Sequence, residues 1–326
     1  MLHVVTGAAG FIGSRLIAGL NRAGITRILA VDALDKNPRA KNLYPLEIED
    51  YLDRRDFLAQ LETGRLDNDI EAVFHQGACS DTMETDEAYM METNYAYSRS
   101  LLDWCQEAQV PFIYASSASV YGSGREFAEE RENEAPLNVY AYSKFLFDQA
   151  VRRRMADGLA AQVAGLRYFN VYGPNEAHKG RMASVAFHAF HQYRAEGRVK
   201  LFEGCDGYED GGQQRDFVHV DDVVAVNLWL LENREASGIF NCGTGRAQTF
   251  NDVAAAVING VDGTDESITE LANAGRIEYI PFPPALVGKY QSYTQADLTK
   301  LRESGYPGDF RPVEEGVRDY VRELLK

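Results

Sequence analysis

The chain opens on a short apolar run, 1–6, breaks at Gly7, and resumes with apolar residues at helical spacing through Ile17, Leu20 and Ile25. That order predicts a strand, a tight glycine turn and a helix. The alternation then repeats. Apolar runs at 3–6, 27–31, 72–75, 111–115 and 161–167 read as strands, and helical patterns at 14–23, 56–63, 94–107 and 141–157 lie between them. Strands separated by helices form a parallel sheet covered on both faces and joined by right-handed crossovers. The expected fold class is α/β, a Rossmann-type doubly wound parallel sheet, with ligands beyond the carboxyl ends of its strands.

The pattern is less regular after about residue 170. Helices are expected at 181–194, 221–232, 250–259 and 313–326, strands at 199–202 and 238–241, and a polar, glycine-rich loop at 208–214. No linker separates the two halves. Residues 1–170 are expected to form a dinucleotide-binding domain to which later segments such as 212–250 return. Residues 171–326 would supply mainly a smaller, discontinuous mixed α/β substrate-binding domain. The acidic stretch 129–134 reads as a solvated surface turn.

Charge narrows the partners. Acidic residues outnumber basic ones 49 to 33, a net charge of −16. That argues against nucleic acid or an anionic membrane, and requires a local Arg or Lys cluster for any phosphate in a ligand. Cys79, Cys105, Cys205 and Cys242 show no metal-ligand spacing and read as reduced thiols, so no metal is expected. No stretch nears the ~20 apolar residues of a membrane span, and the start lacks a signal peptide's basic region, so a cytoplasmic protein is expected.

The candidate chemistry lies just after the strands. Gly7, Gly10 and Gly13 let backbone and a helix N-terminus approach a pyrophosphate. Asp32 ends the second strand, where a carboxylate accepts from adenosine ribose hydroxyls and favours NAD. Arg39, Lys41, Arg54 and Arg55 follow it and suit a 2′-phosphate, so NAD and NADP both remain open. The strand at 111–115 leads into Ser117, and Tyr140 and Lys144 stand four apart on a helix, on one face. A tyrosine with its ordinary pKa of about 10 is a poor base at neutral pH. A neighbouring ammonium and a nicotinamide's positive charge would lower it, letting it take a proton from an alcohol that Ser117 holds. Arg215 suits a pyrophosphate by its guanidinium. His188, on a mainly apolar helix face, reads by itself as a packed core histidine.

The glycine turn, the strand-end serines and the Tyr140–Lys144 pair together resemble the extended short-chain dehydrogenase/reductase (NAD-dependent epimerase/dehydratase) family over nearly the whole chain. The segments 137–148, 167–180, 182–188, 201–204, 280–283 and 290–298 are similar to those of its ADP-L-glycero-D-manno-heptose 6-epimerases. The resemblance implies inversion at C6″ of an ADP-heptose through a transient 6″-ketone, for the lipopolysaccharide inner core. It implies Tyr140 and Lys179 as acid/base residues serving opposite faces of the carbonyl, with Ser117 and Lys144 assisting. It places the cofactor against Gly7, Gly10, Phe11, Ile12, Gly13, Asp32, Ala33, Arg39, Arg54, Gln76, Gly77, Ala78, Cys79, Ser80, Asn94, Lys144, Val171 and Lys179. The ADP-sugar would meet Ser117, Asn170, Arg181, His188, Phe202, Glu203, Gly204, Cys205, Arg215 and Tyr290. Ala33, Gln76, Arg181 and Cys205 depart from the family's usual residues. The family also implies NADP rather than NAD and a homo-oligomer, a pentamer or larger ring.

Overall fold

The structure is a computed structural model and describes residues 1–33, 38–66, 69–283 and 291–326. The first half alternates as its apolar pattern requires: β1 (Leu2–Thr6), α1 (Phe11–Arg22), β2 (Ile28–Asp32), β3 (Asp50–Asp53), α2 (Arg54–Glu62) and β4 (Ile70–His75). Next come α3 (Glu87–Met90), a π-helical turn Met91–Ala96, α4 (Tyr97–Glu107), β5 (Phe112–Ser117), α5 (Val139–Asp157) and β6 (Val163–Tyr168). These strands, with β11 (Gly238–Cys242), make a seven-stranded sheet in the order β11-β6-β5-β4-β1-β2-β3. Every pairing is parallel. The order reverses between β1 and β4, which opens a crevice at their carboxyl ends.

Helix ends are set by local chemistry. Asp53 accepts from the Arg55 N–H at 2.9 Å to start α2, and Asn138 accepts from the Ala141 N–H at 2.8 Å to start α5. Gly158, at φ +99°, ends α5. One apolar cluster joins Leu16, Ile17 and Leu20 to Phe74, Val223, Val226 and Phe240. Another joins Phe57, Leu101, Leu102, Phe112, Phe147 and Val151 to the opposite sheet face. The sheet is therefore a Rossmann-type layer covered on both sides.

The rest of the chain builds short elements: β7 (Asn170–Tyr172), α6 (Val185–Glu196), β8 (Val199–Phe202), β9 (Gln214–Arg215), β10 (Phe217–His219) and α7 (Val220–Glu232). After β11 follow β12 (Gln248–Thr249), α8 (Phe250–Asp262), α9 (Ile268–Asn273), β13 (Ile277–Ile280), α10 (Thr299–Glu303) and α11 (Val313–Leu324). A separate apolar cluster, including Phe190, Leu201, Val257, Ile258, Val317 and Tyr320, lies among α6, α8, β8 and α11. The chain does not stay there: α7 packs on α1, with Arg15 bound to Asp221 at 2.8 Å.

Two expectations need correction. The acidic stretch is not a solvated turn throughout, because Glu129 and Glu134 are buried. Glu134 is paired with Arg152 and with the fully buried Arg167, and Glu129 accepts from the Asn241 N–H at 2.6 Å. Arg167 also meets Asp148 at 2.9 Å, and Asp148 accepts from Tyr114 and Ser116, each at 2.9 Å. Buried carboxylates with cationic and hydroxyl partners are the arrangement that compensates their desolvation. The helix expected from residue 181 instead starts at Val185, because Ser184 accepts from the Phe187 N–H. The cysteines are all free, with Cys105 and Cys242 buried.

Candidate active site at the carboxyl edge of the sheet

A cleft of about 640 Å³ runs along the carboxyl ends of β1, β2, β4 and β5. A larger surface depression of about 780 Å³, lined by Arg125, Arg246 and Arg302, contains none of the candidate site residues. Chemistry rather than size therefore selects the cleft.

Its floor is the glycine turn. Gly7 stands at φ +65°, and a Cβ there would fall 2.7 Å from the Gly77 backbone. A Cβ on Gly13 would fall 2.1 Å from the Gly7 oxygen. Neither position admits a side chain without moving backbone. Gly10 caps α1 with no side-chain acceptor, so the first amides of that helix are left for an anion. Such a cradle fits the pyrophosphate of a dinucleotide.

At one end Asp32 is buried, and its oxygens accept from the Ala9 N–H at 2.9 Å and the Ala33 N–H at 2.7 Å. Burial pushes this carboxyl's pKa up, and the Arg39 guanidinium, 3.1 Å away, opposes the shift. Arg39 also donates to the Ala33 oxygen, while its Nε is buried without a partner. Arg54 and Arg55 line the same end.

At the other end Ser117, Tyr140 and Lys144 line the cleft together. Ser117 holds the Tyr140 phenol's pKa down, but burial outweighs this and pushes it up. The sequence expects the Lys144 ammonium to hold Tyr140 low. Here Lys144 instead donates from Nζ to the Ala115 oxygen at 2.8 Å. Burial brings Lys144 itself down to about 8, against the pull of Asp148.

The loop after β4 closes one wall through Gln76, Gly77, Ala78, Cys79 and Ser80. Its posture is fixed from behind. His75 is wholly buried, 2.6 Å from Thr6 Oγ1 and 2.7 Å from Ser98 Oγ, and Thr6 accepts from the Gly77 N–H at 3.1 Å. Tyr168 donates to Gln76 at 2.9 Å. Asn94 accepts from the Cys79 N–H at 2.8 Å and does not line the cleft.

The opposite rim is the short helical segment Ala177–Met182, where Gly180 takes φ +53°. Lys179 stands 5.4 Å from the Phe11 ring centre, and burial lowers its pKa against the pull of Glu176. Glu176 anchors the segment by accepting from Ser184 Oγ at 2.7 Å. Arg181 meets Asp81 across the cleft mouth at 2.8 Å.

Of the residues expected at the cofactor, Gly7, Gly10, Phe11, Ile12, Gly13, Asp32, Ala33, Arg39, Arg54, Val171 and Lys179 line this cleft with those already named. Asn170, His188, Phe202, Glu203, Gly204, Cys205 and Arg215 lie outside its lining. Several of these gather elsewhere: Gln213 donates to the Glu203 oxygen at 3.0 Å, and Arg215 lies on β9 beside β12, near Phe250. Tyr290 falls outside the described residues. Thr93, Tyr97, Phe169 and His178 also line the cleft and were not anticipated. Helical spacing carries no signal for Thr93, because it lies in the π-helical turn Met91–Ala96 and not in the regular helix that begins at Tyr97.

Comparison with known proteins agrees with this geometry. The model of the NAD dependent epimerase/dehydratase family matches residues 3–243. The chain is 61% identical to an ADP-L-glycero-D-manno-heptose-6-epimerase of Thiobacillus denitrificans, over 99% of this chain and 98% of that protein. Its structure resembles the Helicobacter pylori ADP-L-glycero-D-manno-heptose-6-epimerase, with a TM-score of 0.82 at 29% identity, covering 99% and 96% of the two chains. It also resembles a Thermus thermophilus UDP-glucose 4-epimerase solved with NAD, with a TM-score of 0.76 at 26% identity, covering 100% and 99%. A glycine cradle, a strand-end serine and a Tyr–Lys helix pair meeting in one cleft, together with these matches, make the chain a member of the NAD dependent epimerase/dehydratase family.

Proposed function

We propose that this protein is a nucleotide-sugar epimerase that inverts C6″ of ADP-D-glycero-β-D-manno-heptose to give ADP-L-glycero-β-D-manno-heptose, for the lipopolysaccharide inner core. The observation that carries the reading is that Tyr140, Ser117 and Lys144 line the same cleft as the Gly7–Gly13 turn. The 61% identical relative supports the substrate.

A nicotinamide dinucleotide bound in that cleft supplies a reversible hydride acceptor beside the sugar carbon. Tyr140 takes the proton of the C6″ hydroxyl, and Ser117 holds that oxygen by a hydrogen bond. Lys144 holds α5 against β5 and so fixes Tyr140 relative to Ser117. Inversion requires the ketone to be reduced from its other face, with a proton delivered from a different side. Lys179, on the opposite rim and with its pKa lowered by burial, is suited to that transfer.

NADP is the favoured cofactor. Asp32 is already bound by two backbone amides and by Arg39, which leaves little of it for ribose hydroxyls. Arg39, Arg54 and Arg55 concentrate positive charge at that end of a chain whose net charge is −16. The family resemblance extends the reading to a cytoplasmic homo-oligomer, testable by light scattering against the 36.4 kDa chain.

The decisive experiment uses ADP-heptose deuterated at C6″. Conversion with the label retained in product, and no turnover of UDP-hexoses, supports the proposal. Label washed out into solvent would remove it.

A further inference from the structure

The rim segment Ala177–Met182 is tied down at both ends by one carboxylate. Glu176 is 1% exposed, although Ala177 beside it lies at the surface. Its Oε1 accepts from the Gly173 N–H at 3.2 Å and from Ser184 Oγ at 2.7 Å, and its Oε2 accepts from the Ser184 N–H. Its main-chain oxygen accepts from the Lys179 N–H at 2.9 Å. Gly173 precedes the segment, and Ser184 follows it as the cap of α6. The loop that carries Lys179 is therefore closed on itself around a single side chain. Burying a carboxylate is costly, and the donors that offset it here all belong to the loop's own ends.

Lys179 lies in the middle of that loop. Arg181 pairs with Asp81, but among the described residues no carboxylate forms an ion pair with Lys179. Its amine is placed by the loop, 5.4 Å from the Phe11 ring centre at the glycine cradle. Burial lowers its pKa, and Glu176 is the charge that opposes the shift. The neighbouring His178 is lowered by burial first, then by Arg39 and Lys179. On α11, burial and then Glu176 push the Tyr320 phenol up.

We infer that Glu176 is a positioning residue for the epimerisation, closing the loop so that the Lys179 amine is held on the cleft face opposite Tyr140. Glu176 does not line the cleft itself, so it acts through the loop. This rests on Lys179 being the second acid/base group.

Two measurements on the full-length protein test it, with Glu176→Gln keeping the side chain's shape and removing its charge. The first needs no substrate. Brief acetylation by acetic anhydride, read by mass spectrometry, should modify Lys179 about tenfold faster in Glu176→Gln than in wild type, the scale of one lost hydrogen bond. A loosened loop exposes the amine, and loss of the carboxylate favours its neutral, reactive form. Exposed Lys326 should keep its rate and serves as the reference. An unchanged rate at Lys179 overturns the inference.

The second is a single turnover of the ADP-heptose 6″-ketone on enzyme carrying reduced nicotinamide, sampled before the products re-equilibrate. The nicotinamide gives hydride to C6″, and an acid on the protein gives the proton to the oxygen. Glu176→Gln should shift the ratio of the two C6″ epimers by about tenfold, because delivery from one side is lost and from the other kept. Equal loss of both epimers marks a merely structural role and overturns the inference. Ser184→Ala removes one donor, leaves the carboxylate in place and should move both measurements in the same direction at less risk to the fold. Lys179→Met should shift the ratio as Glu176→Gln does. A wild-type ratio in Lys179→Met would instead remove the acid/base reading of Lys179, whatever the acetylation shows.

Discussion

Lys144 reaches from α5 to the main-chain oxygen of Ala115 on β5, 2.8 Å away and two residues before Ser117. The bond locks the helix that carries Tyr140 to the strand that carries Ser117. Burial brings Lys144 down to about 8, so its ammonium is lost as pH rises through that value. The pH profile of kcat/KM for epimerisation should therefore show an alkaline limb with its midpoint near 8. Lys144→Arg, whose charge persists, should move the limb upward in whatever activity it retains. Tyr140→Phe should lower turnover by about 10²–10⁴-fold with cofactor still bound, as read by kinetics and by nucleotide released on denaturation.

Arg39 bridges Asp32 and the Ala33 oxygen at the adenosine end. Removing it frees Asp32 and takes away one cation. Arg39→Ala should weaken NADP(H) binding by about tenfold or more and leave NAD(H) binding unchanged or stronger, the sign that separates a phosphate contact from a general loss of fold. Parallel titrations with the two nucleotides check it.

Arg167 is fully buried between Glu134 and Asp148. Arg167→Met leaves two buried carboxylates short of a partner and should cost about 3–5 kcal/mol in denaturant unfolding. Adding Glu134→Gln to that variant should recover part of the loss, because one of the stranded charges is then gone. A loss that the second substitution deepens would count against this account.

His75 is held neutral by burial, with its pKa brought down to about 3 from 6.5. Between those values the unfolded chain takes up a proton and the folded chain does not, so stability falls as pH drops below about 6.5. From pH 7 to pH 5 this one group should remove about 2 kcal/mol. Unfolding curves at the two pH values should show that difference shrinking by the same amount in His75→Gln.

Much of the sheet could be read from the sequence because strands buried on both faces are continuous apolar runs, as in 111–115. β3 escaped because it is a polar edge strand, Asp-Tyr-Leu-Asp, with no buried residue. The catalytic end was legible for a local reason: Tyr140 and Lys144 share a helix, and helical spacing fixes their common face. Glu129 and Glu134 were misjudged because their partners Asn241, Arg152 and Arg167 come from distant segments, and charge composition does not reveal long-range pairing. The neighbouring pair Thr93 and Asn94 shows a finer limit. Which of the two faces the cleft depends on a π turn, and one inserted residue leaves no mark in hydrophobic periodicity.

The packing of α7 on α1 bears on how the molecule must be made. A Cβ on Gly19 would fall 2.4 Å from Val224 Cγ1, so the helix behind the nucleotide cradle lies hard against one that follows it by some two hundred positions. The edge strand β11 arrives later still. A ribosome must therefore release most of the polypeptide before the cradle has its buttress. An amino-terminal fragment ending near residue 170 would expose the apolar back of α1, and would aggregate rather than persist as a free-standing coenzyme binder.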